Sequence, residues 1–270
     1  GYSTEIPMEA AYRDARIARI YEGTNEINRI LLVGMILKKA MKGKLDIMKP
    51  AMKVAADLMS IPSFEKPNEN ILFAVEKEFL KKFKKAILMT AGKAAQHYAM
   101  DIEKEQEVLM NLADMIINLY AAESAILRAE KLALRNGEKQ TTPQITMSKL
   151  FLYGAVKNCQ KSGEEVILAF AEGDEQRMLL MGLKRFTKGY TINPKKLRRE
   201  IAAKLIEEAG CKGLKFGDAI VSQQHANFII NTNNASAEEI ENLGKEIIEK
   251  VYNKFQIILD WEIKIVGDKK

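Results

Sequence analysis

Glu22 stands where one helical pattern stops and the next begins. Tyr12, Arg13, Arg16, Ile17 and Ile20 recur at helical spacing ahead of it, and Ile27, Ile30, Leu31 and Leu37 recur behind it. A carboxylate at that junction belongs to neither helix body, so it can project into a cleft and take a proton as a general base. Its neighbours suit the turn: Gly23 supplies a permissive backbone, Thr24 is a good N-cap, and Glu26 falls in the first turn, where an acid complements the helix dipole. By residue type alone, the same spacing also describes an acid in a solvated loop.

Other reactive residue types are sparse. Cys159 and Cys211 lie far apart, with no CxxC or Cys/His spacing, so neither a zinc site nor a disulfide framework is supported and no metal is expected. One of them paired with His97 or His225 would make a nucleophilic site, but both read as small core residues. Lysines 81, 82, 84 and 85 cluster on one segment, which fits contact with acidic phospholipid or a CoA phosphate, or the wet face of a helix.

The elements that must position these residues are mostly helical. Residues 25–42 read as a helix ending at Gly43, and Pro50 restarts a shorter one to Met59. Residues 61–70, with Pro62 and Pro67, read as a linker. Over residues 70–98, Leu72, Val75, Phe79, Phe83 and Ile87 form one stripe. Over 105–135, Val108, Leu112, Met115, Leu119, Ala122, Ile126 and Ala129 step by four and three, the seam of a packed bundle. A fourth long helix is expected from Thr142-Pro143 toward Phe170, with an interruption at Ser162-Gly163.

Past Pro194 the composition shifts. One more amphipathic helix closes at Gly210. Residues 218–222 and 227–231 carry period two and β-branched side chains, Ser236 with Glu239 forms a capping box opening a helix to about Phe255, and residues 257–266 read as a final strand. Helix, strand, strand, helix, strand describes a small α+β unit.

The chain has 270 residues, 47% hydrophobic, 29% charged and 7% aromatic, which suits a soluble helical protein with a real core. No apolar run approaches the roughly 20 residues of a membrane span, and the first residues carry no basic stretch ahead of an apolar one, so a cytoplasmic location is expected. A net charge of +6 is too moderate to argue for nucleic acid, and no such partner is expected.

The opening stretch GYSTEIPMEAAYRDARIARIYEGTNEINR resembles the C-terminal part of the acyl-CoA dehydrogenases: Gly-Tyr, an acid and Pro, then Tyr-Arg-Asp-Ala-Arg, then Tyr-Glu-Gly-Thr. The resemblance extends to about residue 206, where AEGDEQRMLLMGLKRFTK and the helices before it resemble the extra C-terminal helical domain of some members. It implies an acyl-CoA dehydrogenase-type helical bundle in which Glu22 removes the α-proton of an acyl-CoA thioester while the β-hydrogen leaves as hydride to FAD. Thr24 and Glu26 match positions that approach the flavin. Ala10 stands where the family usually has Arg or Lys, which removes one positional contact. An electron-transfer flavoprotein as partner, a homo-oligomer and a peripheral membrane contact are further implications. Gly1 opens the chain inside this motif, which reads as a truncated or processed start.

A second resemblance begins at about residue 204. KLIEEAGCKGLKFGDAIVSQQHANFIIN, NNASAEEIENL and WEIKIVG resemble the C-terminal domain of the UDP-N-acetylenolpyruvoylglucosamine reductases of peptidoglycan synthesis. It implies Glu262 as a proton donor to an enolpyruvyl carbon, and Gln224 and His225 as residues lining a UDP-sugar site. The two resemblances meet at KLIEE, residues 204–208, as in a chimera or an assembly junction. The expected organisation is therefore catalytic-motif helices over 1–60, a helical bundle over 70–206 and a small α+β domain over 207–270. Three functions follow: a fragment of an FAD-dependent dehydrogenase, incomplete as an enzyme; the substrate-binding part of a reductase; or a non-catalytic helical module that binds a partner or a membrane surface.

Overall fold

The computed structural model describes residues 13–59, 67–68 and 70–263. The chain divides into two compact units, residues 1–192 and 193–270. The amphipathic helix that sequence left between two families thus falls in the second unit.

In the first unit the helices are α1 (Asn25–Met41), α2 (Met48–Met59), α3 (Ala74–Tyr98), α4 (Gln106–Asn136), α5 (Thr142–Phe170) and α6 (Gly173–Thr187), with a 3₁₀ segment, Ala99–Lys104, between α3 and α4. The α4 stripe expected from steps of four and three is the middle of the core: Val108, Leu112, Met115, Ala122, Ile126 and Ala129 are buried, and Leu119 packs at the margin. Phe79, Phe83 and Ile87 of α3 and Leu152, Val156, Val166 and Ile167 of α5 pack into the same core. Two charged pairs pin α3 to α4, Lys77 to Glu130 at 2.5 Å and Lys84 to Glu123 at 2.6 Å.

The interruption expected at Ser162-Gly163 is absent, and α5 runs unbroken through it. Gly163 is buried, and a Cβ there would lie 2.8 Å from a methyl of Leu183 on α6. It is a packing glycine that admits the neighbouring helix and leaves the backbone ladder intact.

In the second unit, Asn193 caps α7 (Pro194–Glu208) by accepting from the Lys196 N–H at 3.0 Å, with Pro194 in the first turn. Strands β1 (Lys215–Phe216), β2 (Ala219–Val221) and β3 (Ile229–Asn231) form an antiparallel sheet in chain order, with Ile220 opposite both Lys215 and Ile230. The capping box predicted at Ser236 and Glu239 opens α8 (Ala237–Phe255). A separate core gathers Leu205, Ile206, Cys211, Ala219, Val221, Leu243, Ile247 and Val251.

Two expectations fail here. A short β1 precedes the two predicted strands, and the final strand over 257–266 is not formed among its described residues, 257–263. Ile257 and Leu259 pack on the core while Ile258 and Asp260 face solvent, so the period-two signal is real. It reports alternating burial of an extended segment, not a hydrogen-bonded ladder.

Candidate functional site

The break ahead of α1 gives Glu22 its geometry. Residues 13–17 are helical, the chain turns over 18–20, and Glu22 then adopts φ +55° with Gly23 at φ +93°. A non-glycine residue in the left-handed region is uncommon and concentrates at functional sites. Backbone and side-chain hydrogen bonds hold the turn: Asn25 N–H donates to the Arg19 carbonyl at 3.1 Å, and the Asn28 amide donates to the Gly23 carbonyl at 2.9 Å. Arg29, one residue on, pairs with Asp114 of α4 at 3.0 Å and fixes α1 to the bundle. The Glu22 carboxylate itself is exposed.

Thr24 caps α1 by accepting from the Ile27 N–H at 3.2 Å. The Glu26 carboxyl lies below the usual glutamate range, first through a hydrogen bond from its own backbone N–H, then from the Thr24 hydroxyl, with Arg29 and Arg19 adding to it. Thr24 therefore spends both its acceptor and its donor on the start of α1. Glu22 meanwhile stands at an exposed surface. The described residues present a candidate base, and enclosure of FAD over it would draw on walls beyond them. Ala10 lies outside the described residues.

The acid of the second unit is held quite differently. Arg199 of α7 grips Glu262 with two hydrogen bonds, Nε to Oε2 at 3.1 Å and Nη2 to Oε1 at 2.6 Å, and the Lys195 ammonium lies 3.5 Å away. The Arg199 hydrogen bonds, then the cationic charges of Arg199 and Lys195, hold the Glu262 carboxyl below its usual range. Such a clamp favours the carboxylate over the acid form that a proton donor needs.

Gln224 and His225 occupy the β2–β3 loop, where the N–H of each donates to the Ser222 hydroxyl at 3.2 Å. Both side chains are exposed, and the His225 ring lies 5.8 Å from that of Phe228. Sequence reasoning missed Arg199, Lys195 and Asn28. The first two were visible only as part of a basic helix, and Asn28 as an unremarked residue five positions beyond Gly23.

The remaining candidates take structural roles. Three of the clustered lysines are spent on carboxylates, Lys81 on Glu78, Lys84 on Glu123 and Lys85 on Asp57, while Lys82 lies over the Phe79 ring. Cys159 and Cys211 are buried, and burial pushes both thiols above their usual range, away from reactivity. His97 stacks near Phe170 and Tyr98. Among the described residues no three His, Cys, Asp or Glu side chains gather to hold a metal, and no helix is long and apolar enough to cross a membrane. An open concavity on the first unit, lined by Met181, Lys184, Arg185, Lys188 and Gly189, includes none of the predicted site residues.

Comparison with known proteins finds two families along the chain. Residues 1–37 and 82–185 match two sequence models, each described as the acyl-CoA dehydrogenase C-terminal domain. Residues 187–266 match that of the UDP-N-acetylenolpyruvoylglucosamine reductase C-terminal domain. A probable acyl-CoA dehydrogenase of Bacillus subtilis is 39% identical over 207 residues, covering 77% of this chain and 34% of the relative. A UDP-N-acetylenolpyruvoylglucosamine reductase of Wolbachia pipientis is 50% identical over 66 residues, covering 24% of this chain and 22% of the relative. The crystal structure of an acyl-CoA dehydrogenase from Bacillus anthracis, complexed with FAD, superposes with a TM-score of 0.69 at 40% identity, covering 77% of this chain and 35% of that one. The chain thus spans about a third of the dehydrogenases it matches and under a quarter of that reductase.

Proposed function

Starting from a chain similar to acyl-CoA dehydrogenase C-terminal regions in its first unit and to a reductase C-terminal domain in its second, we propose that residues 13–41 carry the proton-abstracting part of an acyl-CoA α,β-dehydrogenation site. The observation that carries this reading is the left-handed Glu22, set off both helices at the acid of the Tyr-Glu-Gly-Thr string. In this role the Glu22 carboxylate takes the α-proton of an acyl-CoA thioester. FAD, bound in the Bacillus anthracis relative, is the cofactor of this reading and would supply the hydride acceptor. An electron-transfer flavoprotein is its onward partner.

A solvated carboxylate is a poor base toward a carbon acid, because hydration stabilises its charge. Activity on this reading requires walls beyond the described residues to dry Glu22, so these residues alone are incomplete as an enzyme. The exposed face of α1 offers a place for added surface: Ile27, Leu31 and Met35, spaced by four, are each about half exposed. Self-association through this stripe belongs to the same reading. Sedimentation of the 270-residue chain is expected to show an oligomer that Leu31→Glu weakens, and a monomer unchanged by that substitution would refute it.

A flavin titration tests the main reading, following absorbance with and without an acyl-CoA. Flavin binding with bleaching by acyl-CoA, abolished in Glu22→Gln, is the expected result for a competent site. Bleaching that survives Glu22→Gln would overturn the assignment of the base.

The 50% identity over 66 residues favours a second reading for residues 193–270, as the part of a reductase that contacts a UDP-sugar, with Gln224, His225 and Glu262 at that surface. Binding of UDP-N-acetylglucosamine to the full chain, lost in His225→Ala, supports it; no binding at millimolar nucleotide sugar opposes it.

A further inference from the structure

We propose that Asn28 is the positioning residue for Glu22. This rests on the reading of Glu22 as the base. The inference comes from how the turn is held. Two consecutive residues, Glu22 and Gly23, occupy positive φ, at +55° and +93°. Left alone, a glutamate relaxes out of that region into the extended or right-handed helical basins. Two successive peptide groups join the pair to α1, and each is restrained by one hydrogen bond. The Asn25 N–H reaches back to the Arg19 carbonyl, a backbone bond any residue could make. The Gly23 carbonyl accepts from the Asn28 side chain at 2.9 Å, a bond that depends on a side-chain donor at this place.

The second bond bears on Glu22 directly. The Gly23 carbonyl orientation is set by the Gly23 ψ and the following peptide plane, so anchoring it leaves the Glu22–Gly23 pair few ways to relax. Asn28 sits in the second turn of α1, and its neighbour Arg29 is tied to Asp114 of α4. A continuous chain of contacts therefore runs from the core helix to the turn that carries the base. Residue 23 is glycine because φ +93° strains any L side chain, and a Cβ there would also stand 2.9 Å from the Asn28 side-chain amide oxygen, Oδ1, and press on the donor that holds the turn. The Thr24 cap acts one residue further on and serves the α1 N–H groups, not the Gly23 carbonyl.

The test compares the full chain with Asn28→Ala, with the near-isosteric Asn28→Asp, which cannot donate when ionised, and with Asn28→Gln, which restores an amide. The first readout is the NMR signature of Glu22, whose left-handed backbone gives a strong intraresidue amide–Hα cross-peak and characteristic carbon shifts. Loss of that signature in Asn28→Ala and Asn28→Asp, with at least partial recovery in Asn28→Gln and unchanged signals from the α4–α5 core, is expected. A left-handed signature that persists in Asn28→Ala overturns the inference.

Flavin bleaching by acyl-CoA is the second readout, and it separates this inference from the reading beneath it. If the parent chain bleaches, Asn28→Ala should slow the step and shift its pH profile, with the acyl-CoA concentration for half-maximal rate little changed; an unaltered rate and profile overturn the inference. If the parent chain does not bleach flavin, the functional reading loses support, while the Glu22 backbone signature still decides whether Asn28 sets the turn.

Discussion

A glutamate at φ +55° carries a conformational cost of about 1–3 kcal/mol, and Glu22 bears it in a turn closed by identifiable hydrogen bonds. Residue types announced this acid, because a helical pattern broke around it and Gly-Thr followed. They did not announce Asn28, since a side-chain bond to a carbonyl five residues back has no periodic signature. Glu262 teaches the opposite lesson. Sequence offered it as a proton donor, and the fold surrounds it with Arg199 and Lys195, which lie more than 60 residues away in the chain and could not be assigned to it from spacing. Arg199→Ala should let the Glu262 pKa rise toward the ordinary glutamate value, as followed by carboxyl carbon NMR across pH 2–7; an unmoved titration would show that the clamp does not set it. The sign follows from the depression: the pair favours the folded state above the usual glutamate range, and that contribution disappears as pH falls through the lowered folded pKa.

At the scale of elements, α4 was the most legible segment, because a helix buried along one stripe writes its period into 31 residues. Signals that were local and ambiguous misled. Ser162-Gly163 looks like a breaker until Leu183 is seen against it, and residues 257–263 alternate like a strand without a neighbour to pair with. Three-residue strands such as β2 and β3 were found because turn residues bracket them, whereas the two-residue β1 is too short to show a period. The join between α2 and α3 gives an element-scale test. Asp57 is held below its usual range first by a hydrogen bond from Lys85, at 2.7 Å. Since the folded pKa is depressed, this pair stabilises above the ordinary aspartate range and stops doing so as pH falls through the lowered value. Comparing Lys85→Met with the parent should therefore show a stability gap at neutral pH that closes as pH falls through that lowered value, read from urea midpoints. A gap that is constant with pH would assign the loss to packing instead.

At the scale of the whole molecule, the organising fact is two cores with no buried residue in common, one around α4 and α5 and one between α7, α8 and the sheet. The family-model matches meet near the same place, since the dehydrogenase model ends at residue 185 and the reductase model begins at 187, a few residues before the structural division after Ile192, while similarity to whole dehydrogenases covers 207 residues and so overlaps the start of the second unit. The shared KLIEE string marks residues 204–208 as the place where the two resemblances overlap, and a dehydrogenase similarity over 207 residues reaches it; in packing, α7 puts Leu205 and Ile206 into the second core. Units with separate cores should unfold separately. Ile126 is fully buried in α4, so Ile126→Ala should cost about 2–5 kcal/mol in the first unit alone. Ser236→Ala removes the capping box of α8 and should cost about 1 kcal/mol in the second unit alone. Scanning calorimetry is expected to show two transitions, each moved by one substitution and untouched by the other. A single transition displaced by both would mean that the two cores share one cooperative fold, and that a chain resembling parts of two enzymes has become one thermodynamic domain.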